Sequence, residues 1–280
     1  MIDSESLRAR IEDAIAQGIK GAEAERIVEE LLVALEKGEV RSAEKGDDGQ
    51  WRAVPWVKRG ILLGFQAGTL TDMSTDKSVF RFFDKHTYPP RAFTIHDGVR
   101  VVPGGSAIRR GAYVATGVVC MPPMYINVGA HVGTGTMVDS HALVGSCAQI
   151  GERVHLSAAA QIGGVLEPVN ASPVVVEDDV IVGGNCGIYE GTVVRSGAVI
   201  GAGVVLTRGT PVFDLVNERV YRGSAEKPLE IPADAVVVPG ARKVSSRWGE
   251  SEGLSLQTPV IVKYRDDKTD SATALEGWLR

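Results

Sequence analysis

The side chains best suited to chemistry lie between residues 131 and 155. Asp139 and His141 are two residues apart, and His131 and His155 flank them. An imidazole ionises near neutral pH, so it can take a proton from a reacting amine, and a neighbouring carboxylate can share that task. Neutral imidazoles are also zinc ligands. The residue types therefore leave both general-base catalysis and zinc binding open.

A six-residue repeat determines how these side chains are presented. From residue 106, nine of ten hexads have an aliphatic third residue, and seven further hexads do so after the eight-residue block LEPVNASP. Three such hexads close a triangular coil of short strands, whose inward residues stack on the next coil about 4.8 Å away. The sequence predicts a mainly β fold, a left-handed parallel β-helix. The third positions are Ile108, Val114, Cys120, Ile126, Val132, Val138, Val144, Ile150, Leu156, Ile162, Val176, Val182, Ile188, Val194, Ile200, Leu206 and Val212.

This frame places the candidate carboxylates. Asp139 follows the inward Val138, so it faces outward. The LEPVNASP block is expected to add two residues to the frame and to loop out from one corner, which puts Val194 on the face of Val138 three coils later. Asp139 and Glu190 are then about 14 Å apart along the axis, too far to share a proton.

Segments outside the repeat divide the chain into three parts. Residues 1–105 are predicted to form a mixed α/β cap, residues 106–245 the β-helix, and residues 246–280 a C-terminal extension. Insertions in the helix are expected near residues 166–173 and 213–231, the second as a protruding hairpin or lid. In the cap, residues 4–37 show helical spacing, VRSAEK and QWRAV resemble two strands around a turn, and PWVKRGILLGFQ predicts a third helix. ADAVVVPGARKV suggests one more coil, TPVIVKYR a closing strand and ATALEGWLR a short helix.

Composition excludes several classes of function. The chain has 280 residues, 44% of them hydrophobic and 23% charged, with 33 glycines and a net charge of −5. A general nucleic-acid binder needs a basic surface, so no nucleic-acid partner is expected. The charged N-terminus lacks the apolar core of a signal peptide, and no apolar run is long enough for a membrane span, which favours the cytoplasm. Three cysteines without CxxC spacing favour buried thiols.

Several sequence strings resemble one enzyme family. MYINVGAHVGTGTMVDSHALVGSCAQIGERVHLS, IGGVLEP and YEGTVVRSGAV are similar to tetrahydrodipicolinate N-succinyltransferases, and so are FFDK, RVVPGGSAIRRGAYVA and the VVVPG segment. The likeness covers roughly residues 45–265. It implies lysine and diaminopimelate biosynthesis, with succinyl-CoA as the donor and ring-opened tetrahydrodipicolinate, a dicarboxylate, as the acceptor. It also implies a homotrimer with three intersubunit sites and no metal.

The resemblance and the chemistry together nominate site residues. Arg100 in GVRVVPGG matches the family arginine that holds a substrate carboxylate, and Asp139 in GTMVD matches the group that orients or deprotonates the amine. Small corner residues would leave backbone N–H groups open to the pantetheine arm, and two cations after the last coil would suit the phosphates of CoA. These candidates are Gly183, Gly184, Ala202 and Gly203 for the arm, and Arg242 and Lys243 for the phosphates.

The sequence departs from the family pattern at two places. DSH replaces the expected DTW, which puts His141 at the next corner, and GGNCG replaces GARSE, so the family glutamate falls on Gly187. Glu190 is nearby but matches another family position. We hypothesise that His141 shares the work of a general base with Asp139, and we keep Glu190 as a further catalytic candidate.

Three alternatives remain at this point. A related hexapeptide acyltransferase could use acetyl-CoA or another amino-dicarboxylate. A zinc carbonic anhydrase uses the same solenoid, but His131 and His155 are twenty-four residues apart, which puts them on adjacent faces of one subunit. Such a zinc site would therefore need two subunits. A scaffold without catalytic activity is disfavoured by the long cap and the insertions.

Overall fold

The N-terminal segment folds as three helices and a short hairpin in the computed structural model, which describes residues 3–75 and 79–266. Its elements are α1 (Ser4–Gln17), α2 (Ala22–Glu36), β1 (Ala43–Lys45), β2 (Trp51–Ala53) and α3 (Pro55–Ala67). The Asp3 carboxylate caps α1 by accepting from two backbone N–H groups, and α3 begins with proline, whose fixed φ suits a first helical turn. The predicted helices and the predicted hairpin are confirmed.

The repeat region consists of two-residue strands at six-residue spacing. Before it lie an antiparallel pair, β3 (Leu70–Asp72) and β4 (Phe83–Lys85), and a single 3-10 turn (Ile95–Asp97). The strands of the repeat are β5 (Arg100–Val101), β6 (Ala107–Ile108), β7 (Tyr113–Val114), β8 (Val119–Cys120), β9 (Tyr125–Ile126), β10 (His131–Val132), β11 (Met137–Val138), β12 (Leu143–Val144), β13 (Gln149–Ile150), β14 (His155–Leu156), β15 (Gln161–Ile162), β16 (Val175–Val176), β17 (Ile181–Val182), β18 (Gly187–Ile188), β19 (Val193–Val194), β20 (Val199–Ile200) and β21 (Val205–Leu206). The remaining elements are β22 (Val212–Asp214), β23 (Arg219–Tyr221), β24 (Glu230–Ile231), β25 (Ala235–Lys243), α4 (Arg247–Ser251) and β26 (Ser255–Tyr264).

Each strand from β5 to β18 pairs in parallel with the strand three places further along the chain, while β19 pairs with β24 and β20 with β25, so the strands form three sheets around one core. Sheet 1 contains β5, β8, β11, β14, β17 and β20; sheet 2 contains β6, β9, β12, β15, β18 and β21; sheet 3 contains β7, β10, β13, β16, β19 and β24. All the predicted third positions point inward and are at most 6% exposed. The left-handed parallel β-helix of hexapeptide repeats is confirmed.

The triangular coil has three edges where successive sheets meet. The first edge joins sheets 1 and 2, the second edge joins sheets 2 and 3, and the third edge joins sheet 3 to sheet 1 of the next coil. Because the register repeats every eighteen residues wherever no insertion intervenes, the corner residues of successive coils stand above one another along each edge.

The LEPVNASP block corrects one prediction. Ile150 pairs with Val176, twenty-six positions later, so all eight residues leave the coil as a loop rather than adding two residues to its frame. Val138 therefore lies on sheet 1 and Val194 on sheet 3, and the predicted shared face is wrong.

The C-terminal part of the coil also differs from the prediction. The polar insertion forms a hairpin of β22 and β23, as one of the predicted alternatives had it. The segment expected to make one more coil is a nine-residue strand, β25, of which only Val236 and Val237 stack on sheet 1. The rest runs straight on and pairs antiparallel with β26, the predicted closing strand. The predicted helix at ATALEGWLR lies outside the described residues.

The cap is fixed to the coil by polar contacts on sheet 3. The Ser42 hydroxyl donates to the carbonyl of Gly129 at 2.7 Å, and Gln149 donates to the same hydroxyl. Glu177 is only 8% exposed and accepts from Lys45, from the indole of Trp51 and from Arg195. Among residues 3–75 and 79–266, no helix is both long enough and apolar enough to cross a bilayer.

The Glu177 contacts predict how acid affects the cap. Burial raises the pKa of Glu177, but hydrogen bonds from Lys45 and Trp51 and the charges of Lys45 and Arg195 outweigh it and lower the pKa to about 2 from 4.5. The contribution of the ionised Glu177 carboxylate to the free energy of unfolding is therefore complete above pH 4.5 and is lost as pH falls toward 2. Glu177→Gln should cost about 3 kcal/mol at pH 7 and should flatten the pH dependence of unfolding in that window.

The control for this prediction is Glu152→Gln, an exposed carboxylate at the third edge. It should change the free energy of unfolding by less than about 1 kcal/mol. Urea unfolding at several pH values measures both variants. Equal stability of Glu177→Gln and the parent protein across the whole range would contradict the assigned role.

Candidate active site

The first edge collects most of the predicted site residues. Its corners, stacked one coil apart, are residues 121–124, 139–142, 157–160, 183–186 and 201–204. Asp139 and His141 occupy one of these corners, and all four small residues predicted to face pantetheine occupy the two highest-numbered ones. Hydrogen bonds join the corners: the N–H of Ala159 donates to Ser140, that of Asn185 to Ala158, and that of Gly203 to Gly184. The parallel register thus brings together residues separated by more than sixty positions in sequence.

Asp139 is held with its carboxylate at the surface. Its side chain is half-buried, and one carboxylate oxygen accepts from the N–H of Ser140 at 2.7 Å. The second oxygen makes no hydrogen bond within the described residues and can accept one from a ligand. Since the backbone N–H of Asp139 donates to Leu156 of the next coil, the position of the side chain is set by the stacking of the coil.

His141 has a fixed backbone and an exposed side chain. Its φ of 63° puts it in the left-handed region, its N–H donates to Pro123, and its carbonyl accepts from the Gln161 side chain at 3.0 Å. The neighbouring coils therefore hold its backbone from both sides. The imidazole makes no hydrogen bond within residues 3–75 and 79–266, so it is free to meet a substrate beside Asp139.

The four small residues of the pantetheine prediction separate into two pairs. The N–H groups of Gly183 and Gly203 already donate to the coil, to Ile200 and Gly184 respectively. Those of Gly184 and Ala202 make no hydrogen bond within the described part of the chain. Only the second pair offers a donor to a ligand, while Gly183 is required by packing, because a Cβ there would lie 2.5 Å from the Ala202 nitrogen.

Ala158 belongs to the same row and was missed by sequence reasoning. It is exposed at the corner between Asp139 and Gly184, and its N–H also lacks a partner among the described residues. Ala158, Gly184 and Ala202 take the second place in three consecutive corners, so their N–H groups form a row with a spacing of about 4.8 Å. An alanine side chain gives no chemical signal, so only counting in the hexad frame could have identified this position.

Arg100 lies on sheet 1, close to the first edge. It pairs with Val119 in β8, and β8 pairs in turn with β11, so Arg100 is two coils, about 10 Å, from the corner of Asp139. Its side chain is exposed. A carboxylate group bound by Arg100 would therefore lie far from Asp139, and a single ligand that contacts both residues must be extended.

Arg242 and Lys243 lie on the straight part of β25. Gly201 turns the chain at the first edge, whereas β25, which stacks on this coil through Val237, continues past the edge. The ribbon of β25 and β26 therefore carries both cations beyond the end of the row of N–H groups. Arg242 is half-buried, and its Nε has no hydrogen-bond partner among residues 3–75 and 79–266, whereas Lys243 is exposed.

Glu190 does not join this group within one chain. It lies on the second edge, where it accepts from the N–H of Arg208 at 3.0 Å and lines a groove of about 740 Å³ under the LEPVNASP loop. It is about two and one-third coil rises, about 11 Å, along the axis from Asp139. The predicted separation of nearly three coils between Asp139 and Glu190 is therefore wrong, because all eight residues of LEPVNASP loop out of the coil. The two carboxylates still cannot share a proton.

Gly187 is the position where the resemblance places a glutamate. It faces outward on sheet 2 and is buried, and a Cβ there would lie 2.4 Å from the ring of Tyr189. The ring of Tyr189 thus occupies the space that a side chain at position 187 would need, so this chain cannot hold a glutamate there without moving that ring.

The histidines considered for zinc lie on different sheets. His131 is on sheet 3, stacked on Tyr113 with ring centroids 4.3 Å apart, and His155 is on sheet 1, the adjacent face. Burial and the charge of Arg41 lower the pKa of His131 to about 3, so its ring is neutral near pH 7. Within the described residues no three His, Cys, Asp or Glu side chains are grouped to hold a metal ion.

Comparisons with known proteins agree on one enzyme. The sequence model described as "Tetrahydrodipicolinate N-succinyltransferase N-terminal" matches residues 6–67, and that described as "Hexapeptide repeat of succinyl-transferase" matches residues 173–208. A Bradyrhizobium diazoefficiens protein named 2,3,4,5-tetrahydropyridine-2,6-dicarboxylate N-succinyltransferase is 40% identical over 275 residues. Proteins of the same name from Paramagnetospirillum magneticum and Afipia carboxidovorans are 41% and 39% identical. Each alignment covers 96% of this chain and 94% of the relative.

Proposed function

The chain belongs to the tetrahydrodipicolinate N-succinyltransferase family, a family of acyltransferases that use an acyl-CoA donor, and we propose that its first edge carries out the transfer. The reaction moves a succinyl group from succinyl-CoA to the amino group of ring-opened tetrahydrodipicolinate, 2-amino-6-oxopimelate, in diaminopimelate and lysine biosynthesis. One observation carries the assignment to this edge. Asp139 and His141 stand at one end of the row of free N–H groups at Ala158, Gly184 and Ala202.

The donor lies along the first edge in this proposal. The corner of Asp139 and that of Ala202 are three coils apart, about 14 Å, a span suited to an extended pantetheine arm. The free N–H groups of the row donate to its amide carbonyls. Arg242 and Lys243 on the ribbon beyond the edge pair with the phosphates, since guanidinium and ammonium groups are the common partners of phosphate.

The acceptor amine reacts beside Asp139. Its nitrogen attacks the thioester carbonyl, a C–N bond forms, and the amine proton passes to Asp139 or to the neighbouring His141. Collapse of the tetrahedral intermediate breaks the C–S bond, and the CoA thiolate takes up a proton. Arg100 binds a carboxylate of the acceptor at its far end, and the distance of about 10 Å along the axis makes the acceptor bridge the two positions.

The site is completed by a second copy of the chain in a homotrimer. Sheet 3 is covered by the cap, whereas sheets 1 and 2 carry half-buried or exposed apolar side chains on their outer faces, among them Val119, Leu143, Ile181 and Val205. These faces flank the first edge, and packing them against identical copies in a closed ring buries them. The groove of Glu190 on the second edge of one copy then faces the first edge of the next, and Glu190 acts in that cleft.

In this proposal the enzyme acts in the cytoplasm and needs no metal. Cys120, Cys147 and Cys186 are free and buried, as suits a reducing compartment. The proposed chemistry needs a base, a cation and backbone donors, all supplied by this chain or its copies. A small molecule is its only proposed partner apart from itself.

A donor comparison tests the proposed substrate. Purified protein is assayed with tetrahydrodipicolinate and either succinyl-CoA or acetyl-CoA, following release of the CoA thiol. We expect kcat/KM for succinyl-CoA to exceed that for acetyl-CoA by at least tenfold, the equivalent of about 1.4 kcal/mol. Equal or higher values with acetyl-CoA would overturn the donor assignment and leave only the acyltransferase class.

Two variants test the proposed base. Asp139→Asn keeps the size and the acceptor oxygen that caps Ser140, so the fold should persist, but kcat should fall by about 10²–10⁴-fold with little change in KM for the donor. His141→Ala should lower kcat by a smaller factor, about tenfold. The matched control is Asp179→Asn, an exposed corner aspartate at the third edge, which should be within twofold of the parent.

Light scattering checks that each variant keeps the assembly state of the parent. Normal turnover of Asp139→Asn would remove Asp139 from the mechanism. Normal turnover of His141→Ala at saturating substrates would remove His141 alone.

A further inference from the structure

A cavity of about 340 Å³ lies between the cap hairpin and sheet 3. The cap contributes Arg41, Lys45 and Trp51 to its wall, and the outer face of sheet 3 contributes His131 and Gln149, among others. In a triangular coil, sheet 3 is the face opposite the first edge. Within one chain the whole aliphatic core therefore separates this cavity from the corner of Asp139, and the proposed acyl transfer does not use it.

Arg41 is the unusual group in this cavity. Its Nε donates to the side-chain oxygen of Gln149 at 2.9 Å, and its guanidinium lies over the ring of Trp51, 5.4 Å from the centroid. Among the described residues no carboxylate comes within ion-pair distance of it, and its two Nη groups have no hydrogen-bond partner. Burial lowers the pKa of Arg41 from its ordinary value, although the group stays charged at physiological pH.

Two other arginines that contact the cap, Arg195 and Arg110, are neutralised by carboxylates. Arg195, which also binds the cap, pairs with Glu177 at 3.0 Å and with Glu230 at 2.8 Å, and Arg110 pairs with Glu29 and Glu36. Arg41 is half-buried and has no direct ion pair among the described residues, although the charges of Glu44 and Asp178 act on it from a distance. Its two free N–H forks lie in one plane and match the two oxygens of an anion. Arg41 therefore has the character of an anion-binding group rather than of a structural ion pair.

The other charges of the cavity indicate what kind of anion fits. Glu152, Glu177 and Asp178 also line it, and each already has a partner: Arg153 for Glu152, Lys45 and Arg195 for Glu177, and the N–H of Glu152 for Asp178. Three carboxylates nearby repel a doubly charged phosphate more strongly than a singly charged carboxylate. The neutral His131 adds no positive charge to offset this repulsion.

We propose that the cavity is a binding site for a small monoanionic organic carboxylate, held by the two Nη groups of Arg41. Its volume is at the lower end for ligand pockets, which suits a molecule of a few carbon atoms. Because Arg41 belongs to the cap and its partner Gln149 to sheet 3, a bound carboxylate also strengthens the contact between cap and coil. The site does not depend on the proposed acyl transfer.

Propionate and propionamide form a matched pair of probes that differ in charge but hardly in shape. The protein is titrated with each at constant ionic strength, following the emission of Trp51, which lies under Arg41, and the midpoint of thermal unfolding. The emission change specific to Trp51 is the part that disappears in Trp51→Phe. We expect a saturable emission change and a rise in the midpoint with propionate, and neither with propionamide.

Variants locate the site. Arg41→Gln should weaken propionate binding at least tenfold, and Arg41→Lys should weaken it less, because it keeps the charge but loses the fork. The control is Arg52→Gln, an exposed arginine of the same hairpin paired with Asp48, which should bind as the parent does. If Arg41→Gln fails to fold, Thr134→Tyr narrows the cavity from the exposed third edge without touching Arg41, and it should also abolish the response.

Several results would overturn the proposal. Equal responses to propionate and propionamide would show that charge is not recognised, and tighter binding of inorganic phosphate than of propionate would refute the carboxylate class. Loss of binding in Arg52→Gln as large as in Arg41→Gln would remove Arg41 as the anchor. None of these outcomes bears on the proposed acyl transfer, which the donor comparison tests separately.

Discussion

The constraint on which this structure depends is the stacking of aliphatic residues inside the coil. Each inward side chain rests on its equivalent in the next coil, about 4.8 Å away, and the parallel hydrogen bonds keep that register without drift. Corner residues therefore form straight edges, and each edge carries one corner per coil at a constant spacing. This register places Asp139, Ala158, Gly184 and Ala202 in a row, which the proposed binding of one extended ligand requires.

Much of the fold and part of the site could be predicted because both follow from this period. Third positions identify the inside, so the outward direction of Asp139 and the corner positions of Gly183 and Gly203 follow by counting. The counting failed at LEPVNASP, since eight residues are compatible either with a hexad and two extra residues or with a loop of eight. A signal was present: counted forward from Ile162 the first reading puts Pro168 at an inward position, and counted back from Val176 it puts Asn170 there, and neither is the Val, Ile or Leu that the flanking hexads have at this position. An unpaired Asn170 amide in the aliphatic core would be costly.

Other features could not be predicted because they depend on contacts between distant segments. The straight course of β25 is set by its pairing with β26, which competes with the turn that the hexad pattern suggests. Which backbone N–H groups stay free depends on the neighbouring coils, so Gly184 differs from Gly183 although both are glycines. The Arg41 cavity arises only where the cap meets sheet 3, more than seventy residues further along the chain.

The central claim is that the first edge holds the acyl donor, and residue-resolved amide hydrogen exchange on the intact protein tests it most directly. Exchange is compared with and without succinyl-CoA, in the absence of acceptor. The account predicts slower exchange at the first-edge corners 157–160, 183–186 and 201–204, and no change at the third-edge corners 115–118, 133–136 and 151–154. Protection at the third edge with none at the first would contradict it.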